Sequence, residues 1–143
     1  MRGRKGFEVN YTEFIQSVAT RPKMSPILAE PITRATLATL AERLSGGQAR
    51  DLAAQLPEEL RGDLRKPDEQ AEPFELPEFF ERVQQRAAVE FQTATDGVRA
   101  VLDTLRDGVS AKEYEDSIAQ LPKEFWQLTG PAATRLEPRR IGT

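Results

Sequence analysis

The sequence predicts an all-α protein built from two tandem repeats of about four helices each, packed as one bundle with a pseudo-two-fold axis. Three observations predict this class. The tetrapeptide Ala-Gln-Leu-Pro occurs at positions 54–57 and again at 119–122, 65 residues later. A gapless alignment of residues 11–64 with 76–129 gives 17 identities in 54 positions, which indicates an internal duplication. Apolar residues recur at helical spacing, and no segment has the alternation typical of a strand.

The first helix of each repeat is predicted from four apolar positions spaced i, i+3, i+4 and i+7, which form one helical face. In the first repeat these positions are Tyr11, Phe14, Ile15 and Val18, and in the second Leu76, Phe79, Phe80 and Val83. A longer second helix follows in both repeats. In the first repeat Ser25-Pro26 is a typical helix start, but Pro31 lies about a turn further on. We therefore expect either a kink at Pro31 or a later start.

The third helix of each repeat is predicted to begin at a serine cap. Ser45 and Ser110 each stand three residues before Gln or Glu, which is the capping-box pattern. The second helix should therefore end near these two serines, and we assign them a structural role.

The Ala-Gln-Leu-Pro tetrapeptide is predicted to be the corner between the third and fourth helices. Proline is tolerated at the first helical position but not in a helix interior. We therefore expect the third helix to stop at Leu56 and Leu121, which anchor the corner in the core. The fourth helix is then expected to start at Pro57 and Pro122.

Outside the repeats, composition predicts connecting and terminal segments. Two prolines and a charge run indicate a solvated linker between the repeats, and both ends lack a periodic apolar face. The predicted organisation is a flexible basic arm over 1–9, repeats over 10–64 and 76–129, a proline-rich acidic linker over 65–75 and a flexible tail over 130–143.

Several short motifs, in this order, resemble the bacterial family called domain of unknown function 2267. They are Glu13-Phe14, Arg34-Ala35 with Leu37 and Leu40, Ser45-Gly46-Gly47-Gln48, and Ala54 to Glu59. The second copy departs from the pattern, with Ala111-Lys112 in place of the two glycines. The resemblance implies an all-helical, bacterial, cytoplasmic protein, and it supplies no activity or site residue.

Composition excludes several chemistries. The 143-residue chain contains neither Cys nor His. Disulfides, thiolate and imidazole metal ligands and the commonest general base are therefore absent. No apolar run approaches the roughly 20 residues of a membrane-spanning helix. We expect a cytoplasmic protein with no cofactor, no metal and no membrane contact.

Charged residues recur 65 positions apart, among them Glu13 with Glu78 and the four to which we assign a role: Arg34 with Arg99, and Asp51 with Asp116. An arginine with carboxylates is a plausible acid–base or phosphate-binding set. A residue kept in both copies of a unit more simply serves that unit, as an ion pair or a helix cap. We therefore expect these four residues to be structural and the protein not to be an enzyme. An enzyme with a carboxylate and arginine site is the less favoured alternative.

The charge distribution argues against nucleic acid as the main partner. The net charge is −3: Arg2, Arg4 and Lys5 give residues 1–6 a charge of +3, and Arg135, Arg139 and Arg140 against Glu137 give residues 133–143 a charge of +2. Residues 7–132 then carry −8, which repels a phosphate backbone. Weak nucleic-acid binding through the basic termini is an alternative.

The favoured function is a protein-interaction or assembly module that binds a protein partner or forms a homodimer, with no small-molecule substrate evident. Trp126, the only tryptophan, follows the inward-facing Phe125 and should point partly outward. It is expected to lie across the adjacent helix or, alternatively, to anchor a partner, because Trp is enriched in interface hot spots. Trp126 and Phe125 are thus the candidate partner-binding residues.

Overall fold

A computed structural model describes residues 10–21 and 24–129 of the chain. In that part the regular structure is helical and contains no strand, which confirms the all-α class. The α-helices, in chain order, are α1 (Tyr11–Thr20), α2 (Pro26–Arg43), α3 (Gly46–Ala53), α4 (Glu58–Arg61), α5 (Leu76–Ala87), α6 (Phe91–Gly108), α7 (Ala111–Ala119) and α8 (Lys123–Thr129), with a short 3-10 turn at Gly62–Leu64 after α4. The arms predicted at residues 1–9 and 130–143 lie outside the described residues.

The expectation that α2 starts late, at Pro31, is wrong, because the helix already begins at Pro26. The Ser25 hydroxyl accepts a hydrogen bond from the Ile27 backbone N–H, and the helix begins at Pro26 and continues through Pro31. Proline at position 31 cannot donate to the Ile27 carbonyl one turn earlier. Ile27 is 82 % exposed, so water can reach that carbonyl instead.

The predicted caps of α3 and α7 are in place. Each serine hydroxyl accepts a backbone hydrogen bond at 3.2 Å, Ser45 from Gln48 and Ser110 from Glu113. Both helices begin immediately after their serine, as the capping-box spacing predicts.

The predicted ends of these helices differ from the structure by two or three residues. α3 ends at Ala53 rather than at Leu56, because the chain tightens there into a turn in which the Leu56 N–H donates to the Ala53 carbonyl at 3.0 Å. α7 ends at Ala119 in the same way. Pro57 is the N-cap of α4, one residue before the helix.

A single cluster of buried apolar side chains contains residues of both the first half (residues 10–64) and the second half (residues 76–129). α2 and α6 pack against each other, and each also packs against α1 and α5. At their crossing a Cβ on Gly97 would lie 2.3 Å from the Ile32 side chain, so only glycine permits this approach. Leu56 and Leu121 are both buried, as expected of core anchors.

The connection at residues 65–75 runs against the first half. The Glu72 N–H donates to the Glu42 carbonyl at 2.7 Å, and the Arg43 guanidinium donates to the Phe74 carbonyl at 2.8 Å. The Phe74 side chain is buried, which the proline and charge content of this segment did not indicate. The segment thus contributes to the core as well as connecting the halves.

Candidate functional site

The candidate partner-binding residues lie on α8, where one faces inward and the next faces outward. Phe125 is fully buried, and its ring meets that of Phe79 edge to face at 4.9 Å between centroids. Its side chain is therefore part of the core. Trp126 is 51 % exposed, and its indole N–H donates to the Ile118 carbonyl of α7 at 3.0 Å. That hydrogen bond lays the ring against the adjacent helix and leaves half of it exposed.

At the corresponding place in the first half, 65 residues earlier in the chain, an open cleft lies where the second half has the Trp126 ring. Arg61 occupies the position that corresponds to Trp126, and Ala53 the position that corresponds to Ile118; both line this cleft. The cleft has a volume of about 360 Å³. We call it the basic cleft because four cationic side chains line it: Arg50, Arg61, Arg65 and Lys66.

Glu69 lies at the edge of the basic cleft, over the first turn of α3. Its carboxylate accepts from the Arg50 guanidinium at 2.8 Å, and its carbonyl accepts from the Gly46 N–H at 3.1 Å. A Cβ on Gly46 would lie 2.6 Å from the Glu69 carboxylate, so the carboxylate occupies the space of that side chain. The hydrogen bond from Arg50 holds the pKa of Glu69 below its ordinary value. Ala111 occupies the corresponding position of α7 and is exposed.

The glutamines of the two Ala-Gln-Leu-Pro tetrapeptides make reciprocal contacts between the halves. The Gln55 amide accepts from the Ser110 N–H at 2.7 Å and lies 3.2 Å from its hydroxyl. The Gln120 amide accepts from the Ser45 N–H at 2.8 Å and lies 3.3 Å from its hydroxyl. Each corner therefore completes the helix cap of the opposite half. The identity of both glutamines was a visible signal of this role, which the sequence interpretation did not assign.

Comparison with protein families identifies the chain. The model of the family described as "Uncharacterized conserved protein (DUF2267)" matches residues 11–128. The chain belongs to this family. No curated protein matches it in sequence.

The charged pairs that recur in this DUF2267 chain are not brought together into one site. Arg34 donates to Asp63 at 2.8 Å and to the Glu59 carbonyl at 3.0 Å, which ties α2 to α4 and to the 3-10 turn that follows it. Burial raises the pKa of Asp63, although the Arg34 charge acts in the opposite direction. Arg99 is exposed and has no hydrogen bond or ion pair with a described residue.

The two recurring aspartates also differ in their surroundings. Asp116 accepts from Lys112 at 2.7 Å within α7, whereas Asp51 is exposed on α3. Among the described residues of the DUF2267 chain, no three His, Cys, Asp or Glu side chains are placed to hold a metal ion. No described helix has the length and apolar character needed to cross a membrane.

A second set of contacts between the halves involves arginines that recur 65 positions apart. Arg21 donates to Asp107 at 2.6 Å and to the Thr104 hydroxyl at 3.1 Å. Arg86 donates to Glu42 at 2.7 Å and to the Thr39 hydroxyl at 2.9 Å. Arg21 and Arg86 therefore join the two halves of this family member.

Proposed function

We propose that the chain is a non-catalytic helical module that binds a protein partner, or a second copy of itself, with Trp126 as the anchor. The observation that carries the proposal is the state of the indole, which is half-exposed yet held in one orientation by its hydrogen bond to Ile118. An aromatic ring already fixed before binding loses little conformational entropy in a complex. Phe125, the preceding residue, is fully buried and serves the core, so the partner would meet Trp126.

Three other large apolar side chains are exposed in the described part of the chain. Ile27 is the most exposed of them, and Leu28 and Phe91 are also exposed at the starts of α2 and α6. Single apolar side chains on a surface are ordinary, so Trp126 alone carries the proposal.

We further propose that the halves are tandem copies of one unit, related by a pseudo-two-fold axis. The reciprocal bonds of Gln55 and Gln120 support this arrangement, because a two-fold relation makes each contact occur twice with its partners exchanged. The paired arginine contacts support it in the same way. Neither half would complete its own helix caps alone.

A bacterial, cytoplasmic setting belongs to the same proposal and comes from the family resemblance. The alternative of weak nucleic-acid binding depends on the basic residues of both termini, which lie outside the described part of the chain. The −8 charge of residues 7–132 still favours a protein partner over a polyanion.

The test compares the full chain with Trp126→Arg, which introduces the residue found at position 61. Affinity isolation from the native host and sedimentation velocity over a concentration series cover a heterologous partner and a second copy. We expect the substitution to weaken association about 30-fold, the effect of losing a hot spot worth about 2 kcal/mol.

The matched control is Gln85→Arg, which adds the same charge at an exposed position of α5. It should leave association unchanged. Equal association by all three proteins, or a monomer that isolates no partner, would contradict the proposal.

A further inference from the structure

The basic cleft has an excess of positive charge that the described residues do not neutralise. Its four cations face two carboxylates, because Arg50 pairs with Glu69 at 2.8 Å and Lys66 lies 3.9 Å from Asp68. The Arg65 side chain makes no hydrogen bond or ion pair with a described residue, although its backbone N–H donates to the Gly62 carbonyl at 3.2 Å. The balance is about two positive charges, close to the charge of a phosphate group, which is about −1.5 to −2 at neutral pH.

The cations of the cleft are held in different ways. The Lys66 side chain is only 8 % exposed, and its ammonium donates to the Leu44 carbonyl at 2.6 Å and the Gln70 carbonyl at 2.7 Å. The Arg61 Nε donates to the Leu56 carbonyl at 2.9 Å. Backbone carbonyls thus hold Lys66 and Arg61 in place, while the Arg65 side chain has no such bond and is available to a ligand.

We propose that the basic cleft binds a small phosphate-bearing molecule and that the Glu69 carboxylate competes with this ligand for Arg50. Guanidinium groups bind phosphate through two parallel hydrogen bonds, which suits a site lined by three arginines. The volume of about 360 Å³ lies within the range of small-molecule sites, and Ala53 and Leu64 provide an apolar wall. A small ligand also avoids the repulsion that the acidic body exerts on a long polyanion.

Glu69 is suited to act as a displaceable internal ligand. Its side chain and that of Arg50 are both about two-thirds exposed. Exposed ion pairs contribute little stability, so an incoming anion can displace the carboxylate at small cost. The second half offers no equivalent site, because Glu115 occupies the position of Arg50 and Trp126 that of Arg61.

The experiment is a titration of the full chain with inorganic pyrophosphate, followed by amide chemical shifts in a nitrogen-15 correlation spectrum. We expect saturable shifts at Gly46, Ala53 and Leu64 and none across α6. Arg65→Ala should weaken binding about tenfold, the typical effect of losing a charge-assisted hydrogen bond. Glu69→Gln should strengthen it several-fold by removing the competitor.

The control Arg99→Ala removes the same charge from an exposed, unpaired arginine of the second half and should leave the pyrophosphate affinity unchanged. Both test positions are exposed, so these variants should fold, which their own spectra will show. Absence of saturable shifts, equal affinity in Arg65→Ala and wild type, or no gain in Glu69→Gln would overturn the proposal. A single-stranded oligonucleotide that shifts the same amides at lower concentration would overturn it in favour of nucleic acid.

Discussion

The two Ala-Gln-Leu-Pro corners of the molecule are alike on the inside and different on the outside. Their inward contacts match: Gln55 and Gln120 each cap the opposite half, and Leu56 and Leu121 are both buried. Their outward surfaces differ, because the first corner borders the basic cleft and the second is covered by Trp126. The repeated tetrapeptide thus makes the same contacts between the halves at both corners, while the surfaces beside the two corners differ.

This difference explains why repetition alone does not reveal a functional surface. The residues that recur 65 positions apart mainly hold the bundle together, as Arg21 and Arg86 do. The residues proposed to bind something, Trp126 and the cations of the basic cleft, are those that do not recur. Substitutions at corresponding positions therefore test the comparison directly.

The largest expected effect comes from truncating the fully buried side chains of α4 and α8. Phe125→Ala should destabilise the protein by about 3–5 kcal/mol and Leu60→Ala by about 2–5 kcal/mol, because both side chains are fully buried. The aromatic contact with Phe79 places Phe125 at the higher end. Urea unfolding monitored by far-ultraviolet circular dichroism measures both. A loss below about 1 kcal/mol at either position would show that its corner is not packed into the shared core.

Smaller losses of stability, equal at the two positions, are expected when the two glutamines are replaced. Gln55→Ala and Gln120→Ala each leave a partly buried serine N–H without its acceptor, which costs about 1–3 kcal/mol. The two losses should agree, because the two contacts have the same geometry. Thermal unfolding of both variants beside Gln85→Ala, an exposed position on α5, provides the comparison. Clearly unequal losses would break the equivalence of the corners.

Much of the helical arrangement could be predicted because it depends on local order in the sequence. The apolar spacing that contains Phe14 and Phe79 predicted α1 and α5, and serine three residues before Gln or Glu predicted the caps of α3 and α7. The ends of α3 and α7 were placed too late, since a tightened turn keeps the same residues buried. The local sequence pattern could not distinguish a helix that continues to Leu56 or Leu121 from a helix that ends earlier in a tightened turn.

The remaining features depend on which distant residues meet, and periodicity carries no information about that. The position of Glu69 over Gly46 joins residues of different segments, and Gly46 was interpreted only as part of a capping box. Three of the four cations of the basic cleft lie within residues 61–66, but only the folded chain brings Arg50 of α3 beside them. Buried Phe74 was hidden among prolines and charges.

The smallest expected loss of stability depends on pH. It distinguishes the ion pairs of Glu42 with Arg82 and Arg86 from the ion pair of Asp107 with Arg21. Glu42 accepts from both Arg82 and Arg86 at 2.7 Å, whereas the corresponding Asp107 is more exposed. Partial burial opposes ionisation of Glu42, but the hydrogen bonds from Arg86 and Arg82 outweigh it and hold the pKa of Glu42 below its ordinary value of 4.5.

A carboxylate whose pKa is lower in the folded state stabilises fully above its unfolded value, and this contribution is lost as the pH falls through the folded value. Glu42→Gln should therefore cost about 1 kcal/mol at pH 7 and progressively less below about pH 4.5. Asp107→Asn should cost less at pH 7, because solvent screens its pair with Arg21. Urea unfolding of both variants and wild type at a series of pH values measures the differences. A cost for Glu42→Gln that stays constant down to pH 3 would mean that its charge does not contribute to joining the halves, and the contrast with Asp107 would then have to come from packing alone.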